Sequence, residues 1–418
     1  MFCSVLKNLF IAILVVVTVP IARAQSGDVN LDRLSEAVQA INDAQLPRAE
    51  QLLNSVLAAL PNDADALNLL GVVRAKQQRH AEAERLFRRV LASSPTHLGA
   101  HINLAELLTT TNRSAEALPI LISAHKLAPA RSEINLKLAM LYADKRDYQQ
   151  AVQILEEALA NNPDDVPTLR ALARIARTTG NFEKALSHLI EARRLAPRSS
   201  AVLYDFGVTT LQMDLVLDAL PVFEQLHRDY PREPAYLYGL AATHWRKGET
   251  AETTRLMNKY VALQPRDPSG WYLLGAALLR QEQTSEAHAA LQRSLSLKAD
   301  SDTEYLLGVS TDKLGNRAAA IKIFRNVVQS RPDHAAAHAA LGTAYREAGS
   351  YAEARVELEK AVDLDANDLR ANYQLGLVYA KLGEKDAARK MFERADELRK
   401  RQHDQERVIL KLVDPPQP

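Results

Sequence analysis

The residues of this sequence that could do chemistry are dispersed rather than gathered into a motif. There is no G-x-S-x-G nucleophile elbow, no H-E-x-x-H zinc helix and no glycine-rich loop of the kind that cradles phosphates. The 51 Asp and Glu residues are spread along the chain, where carboxylates solvate helix surfaces and pair with lysine or arginine. The sequence therefore predicts a protein that is not an enzyme.

Two histidine pairs come nearest to a metal site. His97 and His101 are four residues apart, as are His334 and His338, and this spacing places both rings of a pair on one helix face. A zinc site also needs a third ligand and supporting hydrogen bonds, and the sequence identifies neither. We therefore interpret the rings as packing aromatics and predict no metal and no cofactor. A metal-dependent accessory enzyme is the alternative that these histidines would support.

Residues 1–24 have the pattern of a secretory signal peptide. Lys7 precedes an almost wholly apolar run at 9–19, and residues 22–24 read Ala-Arg-Ala, the form of an A-x-A cleavage site. We expect cleavage after Ala24 and export to the periplasm or the cell exterior. The alternative is an uncleaved N-terminal anchor, without which no stable membrane insertion is expected.

Composition and charge narrow the classes of partner. Apolar residues make up 47% of the chain and charged residues 25%, values that are ordinary for a folded soluble protein. The formal net charge of +1 provides no field that would attract nucleic acid. The single cysteine, Cys3, lies in the signal segment, so cleavage would leave neither a disulfide nor a thiolate metal site.

A proline recurs every 34 residues through much of the chain. The series is Pro61, Pro95, Pro129, Pro163, Pro197, Pro231 and Pro265, and Pro332 continues it after two units, one of which has lost a residue. With each unit ending just after its proline, the eleven units start at 30, 64, 98, 132, 166, 200, 234, 268, 301, 335 and 369. A fixed period of this length indicates a stacked repeat array, here at 30–402 after a short linker at 25–29.

Each unit reads as a hairpin of two helices. The eighth position is always glycine or alanine, and the twentieth is alanine in all units but one, which has Thr253. These small residues allow two helix backbones to approach closely. Apolar residues between them recur at steps of three and four, which is helical spacing. Glycine at the fifteenth position, as in Gly180, ends the first helix, and the recurrent proline ends the second.

The residues at these positions resemble those of the tetratricopeptide repeat family. Matching signature residues are Trp271, Leu274, Gly275 and Ala287 in one unit, and Leu341, Gly342, Tyr345, Ala354 and Ala361 in another. The resemblance covers 30–402. It implies an all-α right-handed superhelix of about eleven helix-turn-helix repeats, with the first helix of each unit lining a concave groove.

The segment at 403–418 comes after the last repeat. It carries apolar residues up to Val413 and ends in a proline-rich tail. A solenoid requires a cover over the apolar face of its last unit, so we predict a C-terminal capping helix here. Docking of a partner on these apolar residues is the alternative.

Candidate binding residues lie on one stripe of the first helices. Helical spacing places positions five, nine and twelve together, and the resemblance assigns this stripe to the groove. The predicted peptide-binding residues are Arg170, Arg174, Arg177, Tyr204, Tyr238, Trp245, Tyr272 and Tyr305. The rings offer flat apolar area with a polar tip, and the arginines suit a carboxylate. Alternatively, the tyrosines pack along the array and the arginines pair with acids of neighbouring units.

These observations together predict a non-catalytic protein–protein interaction scaffold. Its partner would be an extended peptide or a protein, held in the concave groove. The alternative is a structural subunit of an envelope assembly or secretion complex that uses the convex face instead.

Overall fold

The computed structural model describes the backbone of residues 29–413 and the side chains of residues 29–401. The predicted signal peptide at 1–24 lies outside the described residues. Residues 29–413 form 22 α-helices and no strand. The helices are α1 (Val29–Asn42), α2 (Leu46–Ala59), α3 (Ala64–Lys76), α4 (His80–Ser93), α5 (Leu98–Thr110), α6 (Ser114–Leu127), α7 (Ser132–Asp144), α8 (Tyr148–Asn161), α9 (Val166–Thr178), α10 (Phe182–Leu195), α11 (Ser200–Gln212), α12 (Val216–Asp229), α13 (Pro234–Lys247), α14 (Thr250–Leu263), α15 (Pro268–Arg280), α16 (Thr284–Leu297), α17 (Ser301–Lys313), α18 (Arg317–Ser330), α19 (Ala335–Glu347), α20 (Tyr351–Leu364), α21 (Leu369–Leu382) and α22 (Lys385–Val413).

The helices pair into eleven hairpins, which confirms the predicted all-α repeat array. Each odd-numbered helix is the first helix of a repeat, and each even-numbered helix is the second. Second helices contact the first helix of their own repeat and that of the next, as α14 contacts α13 and α15. Successive first helices also touch, as α7 touches α9 and α13 touches α15. Within each of the two units defined below, first helices therefore lie side by side, which positions the candidate residues of that unit.

The described residues belong to two compact units that divide within α11. Unit 1 extends to Thr209 and unit 2 begins at Thr210. Arg170, Arg174, Arg177 and Tyr204 belong to unit 1, whereas Tyr238, Trp245, Tyr272 and Tyr305 belong to unit 2. The candidate residues therefore fall into two sets, one on each unit.

Phenylalanine at the twenty-fourth position of a repeat occurs only with glycine at the eighth position. A Cβ atom added to Gly71 would lie 2.5 Å from the ring of Phe87, and one added to Gly308 would lie 2.5 Å from Phe324. Every repeat with phenylalanine at position twenty-four has glycine at position eight. All five repeats with alanine at position eight, such as that of Ala105, have leucine or methionine at position twenty-four. The close approach of the two helices therefore depends on the pair of side chains.

The turn inside each hairpin has one residue with left-handed backbone geometry at position fifteen. Five of these residues are glycines, with φ between 79° and 86°. The other six are Ala44, Gln78, Asn112, Arg146, Asp214 and Glu282, with φ between 57° and 63°. The turn is therefore the same in all eleven repeats, although the sequence marks it with glycine in only five.

Two irregular parts of the array have simple backbone explanations. The short repeat lost its residue from a connection, because three residues join α16 to α17 whereas four join α14 to α15. At the C-terminus, α22 continues without a break to Val413, so residues 403–413 extend the last repeat helix. The side chains of the predicted capping segment lie outside the described residues.

Among the described helices, none is both long and apolar enough to span a membrane.

Candidate functional site

The arginine stripe of unit 1 lies on α9. Nε of Arg170 donates a hydrogen bond of 2.7 Å to Oδ2 of Asp205, at the sixth position of the next repeat. Arg174 is exposed and Arg177 is half-buried. Among the described residues, neither of these two has a carboxylate within ion-pair distance. The stripe therefore contains one neutralised arginine and two whose charge is not balanced locally.

One pair of neighbouring charges on the first helices of unit 1 is engaged, and a second carboxylate is partly buried. Lys137 of α7 bonds to Glu106 of α5, across one repeat interface. Glu133, in the first turn of α7, is half-buried, and burial raises the pKa of its carboxyl group. The apolar side chain of Met140, at position nine of α7, is 43% exposed. Since α7 touches α9, this part of unit 1 combines an exposed apolar side chain with unbalanced positive charge.

The tyrosines of unit 2 are half-buried at position five of their helices. The rings of Tyr238 and Tyr260 meet edge to face with centroids 5.3 Å apart. Tyr305 lies against Phe324 at 6.1 Å and His334 at 5.1 Å. Burial raises the pKa of the Tyr305 phenol, and burial with the charge of Asp302 raises that of Tyr272. Each of these rings packs into the array and keeps part of its surface exposed.

The ring of Trp245 stacks against Arg280, a residue that the sequence did not predict as part of the site. The guanidinium carbon of Arg280 lies 3.7 Å from the centroid of the Trp245 ring. Trp245 is at position twelve of α13, and Arg280 is at position thirteen of α15. The sequence shows this pair only as an arginine that follows Trp245 by one repeat length plus one residue. Side-chain spacing within a single helix cannot reveal such a pair.

The histidine pairs have structural roles. Nδ1 of His97 accepts the backbone N–H of Ala100 at 3.0 Å and so caps α5, while its Nε2 lies 3.2 Å from Oδ1 of Asp65. His101 is buried, and its Nε2 donates to the carbonyl oxygen of Pro95 at 2.8 Å. Both ring nitrogens of His97 and Nε2 of His101 already serve these contacts, whereas Nδ1 of His101 is buried without a hydrogen-bond partner among the described residues.

The second histidine pair repeats this arrangement in unit 2. Nδ1 of His334 accepts the N–H of Ala337 at 3.1 Å. Nε2 of His338 donates to the carbonyl oxygen of Pro332 at 3.1 Å, as Trp271 does to Pro265. Position four therefore supplies a donor that ties the first helix to the recurrent proline. Within residues 29–401 no three His, Cys, Asp or Glu side chains gather as metal ligands.

A cavity of about 510 Å³ opens in unit 1 between α8, α9 and α10. Val152, Leu172 and Ile175 provide apolar lining, and Lys184 lies 2.9 Å from Glu156 beside them. His188 also lines the cavity, and burial lowers its pKa. None of the sequence-predicted binding residues lines this cavity.

Comparison with known protein families decides what the repeat is. Family models described as tetratricopeptide repeats match residues 34–97, 74–141, 112–175, 142–204, 313–359, 342–383 and 369–402. The chain is a tetratricopeptide-repeat protein. Together these matches cover more than half of its length, and the stretch that they leave out, 205–312, from within α11 to nearly the end of α17, has the same helix pattern. The predicted family is therefore confirmed.

Individual relatives are distant from this tetratricopeptide-repeat chain. A segment of 79 residues is 37% identical to part of the mouse (Mus musculus) Superkiller complex protein 3. The matched segment covers 19% of this chain and 5% of that protein. The chain thus corresponds to only a small part of that relative. Among solved structures, the chain is similar to one in the APC/C hetero-tetramer Cut9–Hcn1, with 13% sequence identity. The alignment covers 89% of this chain and 87% of that chain, and the TM-score is 0.49.

A second solved structure is that of YrrB, described as a tetratricopeptide-repeat protein with an unusual peptide-binding site. It shares 19% identity over 42% of this chain and 91% of that chain, with a TM-score of 0.35. Both TM-scores are below 0.5, so the assignment to the tetratricopeptide family depends on the family models and the helix pattern. Proteins of this family are generally non-catalytic scaffolds that bind protein partners, and the fold is consistent with that function.

Proposed function

We propose that the chain is a non-catalytic interaction scaffold that is exported from the cytoplasm and binds an extended segment of a partner protein on its first helices. One observation carries the binding mode. Arg174 and Arg177 have no carboxylate partner among the described residues, whereas Arg170 and Lys137 beside them are paired. Two adjacent like charges on one helix face repel each other, and a bound acidic segment would relieve that repulsion.

The proposed export is supported by the sequence pattern at 1–24. A positively charged start, an apolar run and an A-x-A site together favour a cleaved signal peptide. Expression of the full chain, with fractionation and N-terminal sequencing of the product, tests this part of the proposal. A mature protein that begins at Gln25 outside the cytoplasm supports export, and an unprocessed chain in the cytoplasm contradicts it.

A crosslinking pull-down tests the binding mode. The bait is the chain from Gln25, compared with a variant in which Arg174 and Arg177 are both changed to glutamine. A matched control changes Arg194 and Arg198 to glutamine, which removes the same charge from the exposed surface of α10 and the connection after it. All baits should have the same helical circular dichroism signal.

We expect the Arg174/Arg177 variant to lose a partner that the parent and the control retain. A partner that all three baits capture equally would contradict binding on α9. Such a result would instead favour a structural subunit that uses its second helices.

A further inference from the structure

The Trp245–Arg280 pair of unit 2 has the geometry of an anion receptor. The Arg280 guanidinium lies over the indole ring at 3.7 Å, a separation at which the cation is attracted to the ring face. Arg280 is exposed, so the edges of its guanidinium group are open to solvent. Stacking holds the planar group in place while its N–H donors remain available.

Within residues 29–401, no acidic side chain forms an ion pair with those donors. Among the described residues, Arg280 has no carboxylate within ion-pair distance. Asp312, at position twelve of the neighbouring α17, instead accepts a hydrogen bond of 3.0 Å from Nε of Arg317. Glu249, after α13, lies 2.6 Å from Lys247. These two acids are engaged by other cations, and Glu282, two residues after Arg280 in the exposed turn, forms no ion pair with it.

Beside Arg280, α13 and α15 lie in contact, and we call their surface between Tyr238 and Trp245 the trough. Tyr238 lies seven residues before Trp245 on α13, a separation of about 10 Å at 1.5 Å per residue. Between the two rings, position nine is Ala242 in α13 and Ala276 in α15. Small side chains there leave room for a main chain between aromatic groups. An extended segment covers about 10 Å with three residues, so it could reach both edges of the trough.

We propose that Trp245 and Arg280 form a carboxylate receptor for an acidic residue in an extended partner segment, with an apolar residue about three positions away against Tyr238. Charge complementarity selects this occupant, because the fork of an arginine binds a carboxylate with two parallel hydrogen bonds. A guanidinium held by an aromatic ring loses little further freedom on binding, which favours affinity. The inference depends on the proposed scaffold function, but not on the α9 stripe.

The test uses a displayed library of random ten-residue peptides, selected on the chain from Gln25. The selected peptides are then titrated against two variants. Arg280→Gln removes both the positive charge and the paired N–H donors of the guanidinium group, and Arg280→Lys keeps only the charge. Trp245→Leu removes the stack but keeps the arginine. Arg246→Gln is the matched control, because this adjacent exposed arginine already has a partner in Asp214 at 3.2 Å.

We expect the selected peptides to share an acidic residue and an apolar residue that are separated by a constant number of positions. Affinity should fall about tenfold or more in Arg280→Gln, less in Arg280→Lys, and remain unchanged in Arg246→Gln. Because the chain has only two tryptophans, a Trp271→Phe background makes Trp245 the single emitter, and its fluorescence should change when peptide binds. Peptides with an amidated C-terminus distinguish a side-chain carboxylate from a terminal one.

Two outcomes would overturn the receptor. One is a set of selected peptides without acidic preference, and the other is unchanged affinity in Arg280→Gln. If Tyr238→Ala then abolishes binding, the trough still supports the proposed scaffold function and only the receptor is rejected. If the selection gives no binding peptide at all, both the receptor and peptide binding by unit 2 are rejected.

Discussion

Asp205 holds Arg170 by a hydrogen bond of 2.7 Å, and so neutralises the first of the three arginines on α9. In the proposed binding mode, an acidic partner residue would compete with Asp205 for Arg170. Its side chain is only 18% exposed, which shields the pair from solvent. The contact therefore limits how much positive charge α9 presents.

Asp205→Asn should strengthen binding of an acidic probe to unit 1. Removing the carboxylate leaves Arg170 unpaired beside Arg174 and Arg177, so the local positive charge increases. Titration with poly-L-glutamate at low salt should show affinity about two- to fivefold higher, and the gain should shrink as salt increases. Glu191→Gln on α10 is the control with the same charge change. Equal affinities for parent chain and Asp205→Asn would contradict an anion-binding role of this stripe.

Glu50 should contribute stability that depends on pH. Arg74 contacts its two carboxylate oxygens at 2.7 and 2.6 Å, Gln77 adds a bond of 3.1 Å, and these bonds lower the pKa of Glu50 from 4.5 to about 2. Because the folded pKa is below the unfolded one, the contribution is full above pH 4.5 and is lost as the pH falls through 2.

Glu50→Gln measures that contribution. The side chain is 27% exposed, so we expect a loss of only about 1 kcal/mol at pH 7 after solvent screening is allowed for. Amide hydrogen exchange in α2 and α3 at several pH values should show the difference from the parent chain vanishing between pH 4.5 and 2. Glu36→Gln, at an exposed pair 3.7 Å from Arg48, serves as control. A difference that stays constant with pH would argue against the Arg74 contact.

His97 should be replaceable by aspartate but not by alanine. Its Nδ1 caps α5, and the same position is Asp63 before α3 and Asp165 before α9, each accepting a backbone N–H. His97→Ala removes the acceptor and should cost about 1 kcal/mol of local stability, whereas His97→Asp should cost much less. Hydrogen exchange at the N-terminus of α5 measures both. Equal losses in the two variants would show that the ring acts by packing alone.

The turn residue Arg146 should be improved by glycine. Its φ of 63° is unfavourable for a residue with a Cβ, and the side chain is exposed. Arg146→Gly should raise the free energy of unfolding of the neighbouring repeats by about 1 kcal/mol, and Arg146→Ala should change it little. Gly180→Ala should lower it by a similar amount, since nothing lies within 4 Å of the added Cβ to complicate the effect. Urea denaturation of the chain compares the three variants.

Gly308→Ala should destabilise the hairpin of α17 and α18. The new Cβ would lie 2.5 Å from the Phe324 ring, and we expect a cost of about 1 to 3 kcal/mol. Phe324→Leu recreates the alanine–leucine combination of other repeats, so the double variant should be more stable than the sum of the single changes predicts. Simple additivity in this double-mutant cycle would contradict the size match.

The fold was accessible from sequence because its determinants recur. Prolines, small residues and helical spacing repeat in each unit, so single exceptions such as Thr253 do not obscure the pattern. Thr253 is fully buried, and its hydroxyl donates to the carbonyl oxygen of Glu249 at 3.0 Å. The array therefore accommodates a polar side chain at a position that is otherwise alanine.

The candidate site was only partly accessible from sequence. Helical spacing put Arg170, Arg174 and Arg177 on one face, but their partners come from another helix, and only the structure shows that Asp205 reaches Arg170 alone. Arg280 was missed for the same reason. The left-handed geometry of Arg146 was also hidden, because the turn imposes it on a residue type that does not favour it. The signal peptide and the packing of the capping segment stay predictions.

The matched side chains at positions eight and twenty-four make each hairpin an inheritable module. Gly308 and Phe324 lie in one repeat, so duplicating or exchanging whole repeats carries both members of the pair together. A recombination junction inside a hairpin could join an alanine to a phenylalanine and create an overlap at the helix crossing. Arrays of this kind can therefore grow, shrink and diversify by whole hairpins, while a junction within a hairpin that combines alanine with phenylalanine would cost stability.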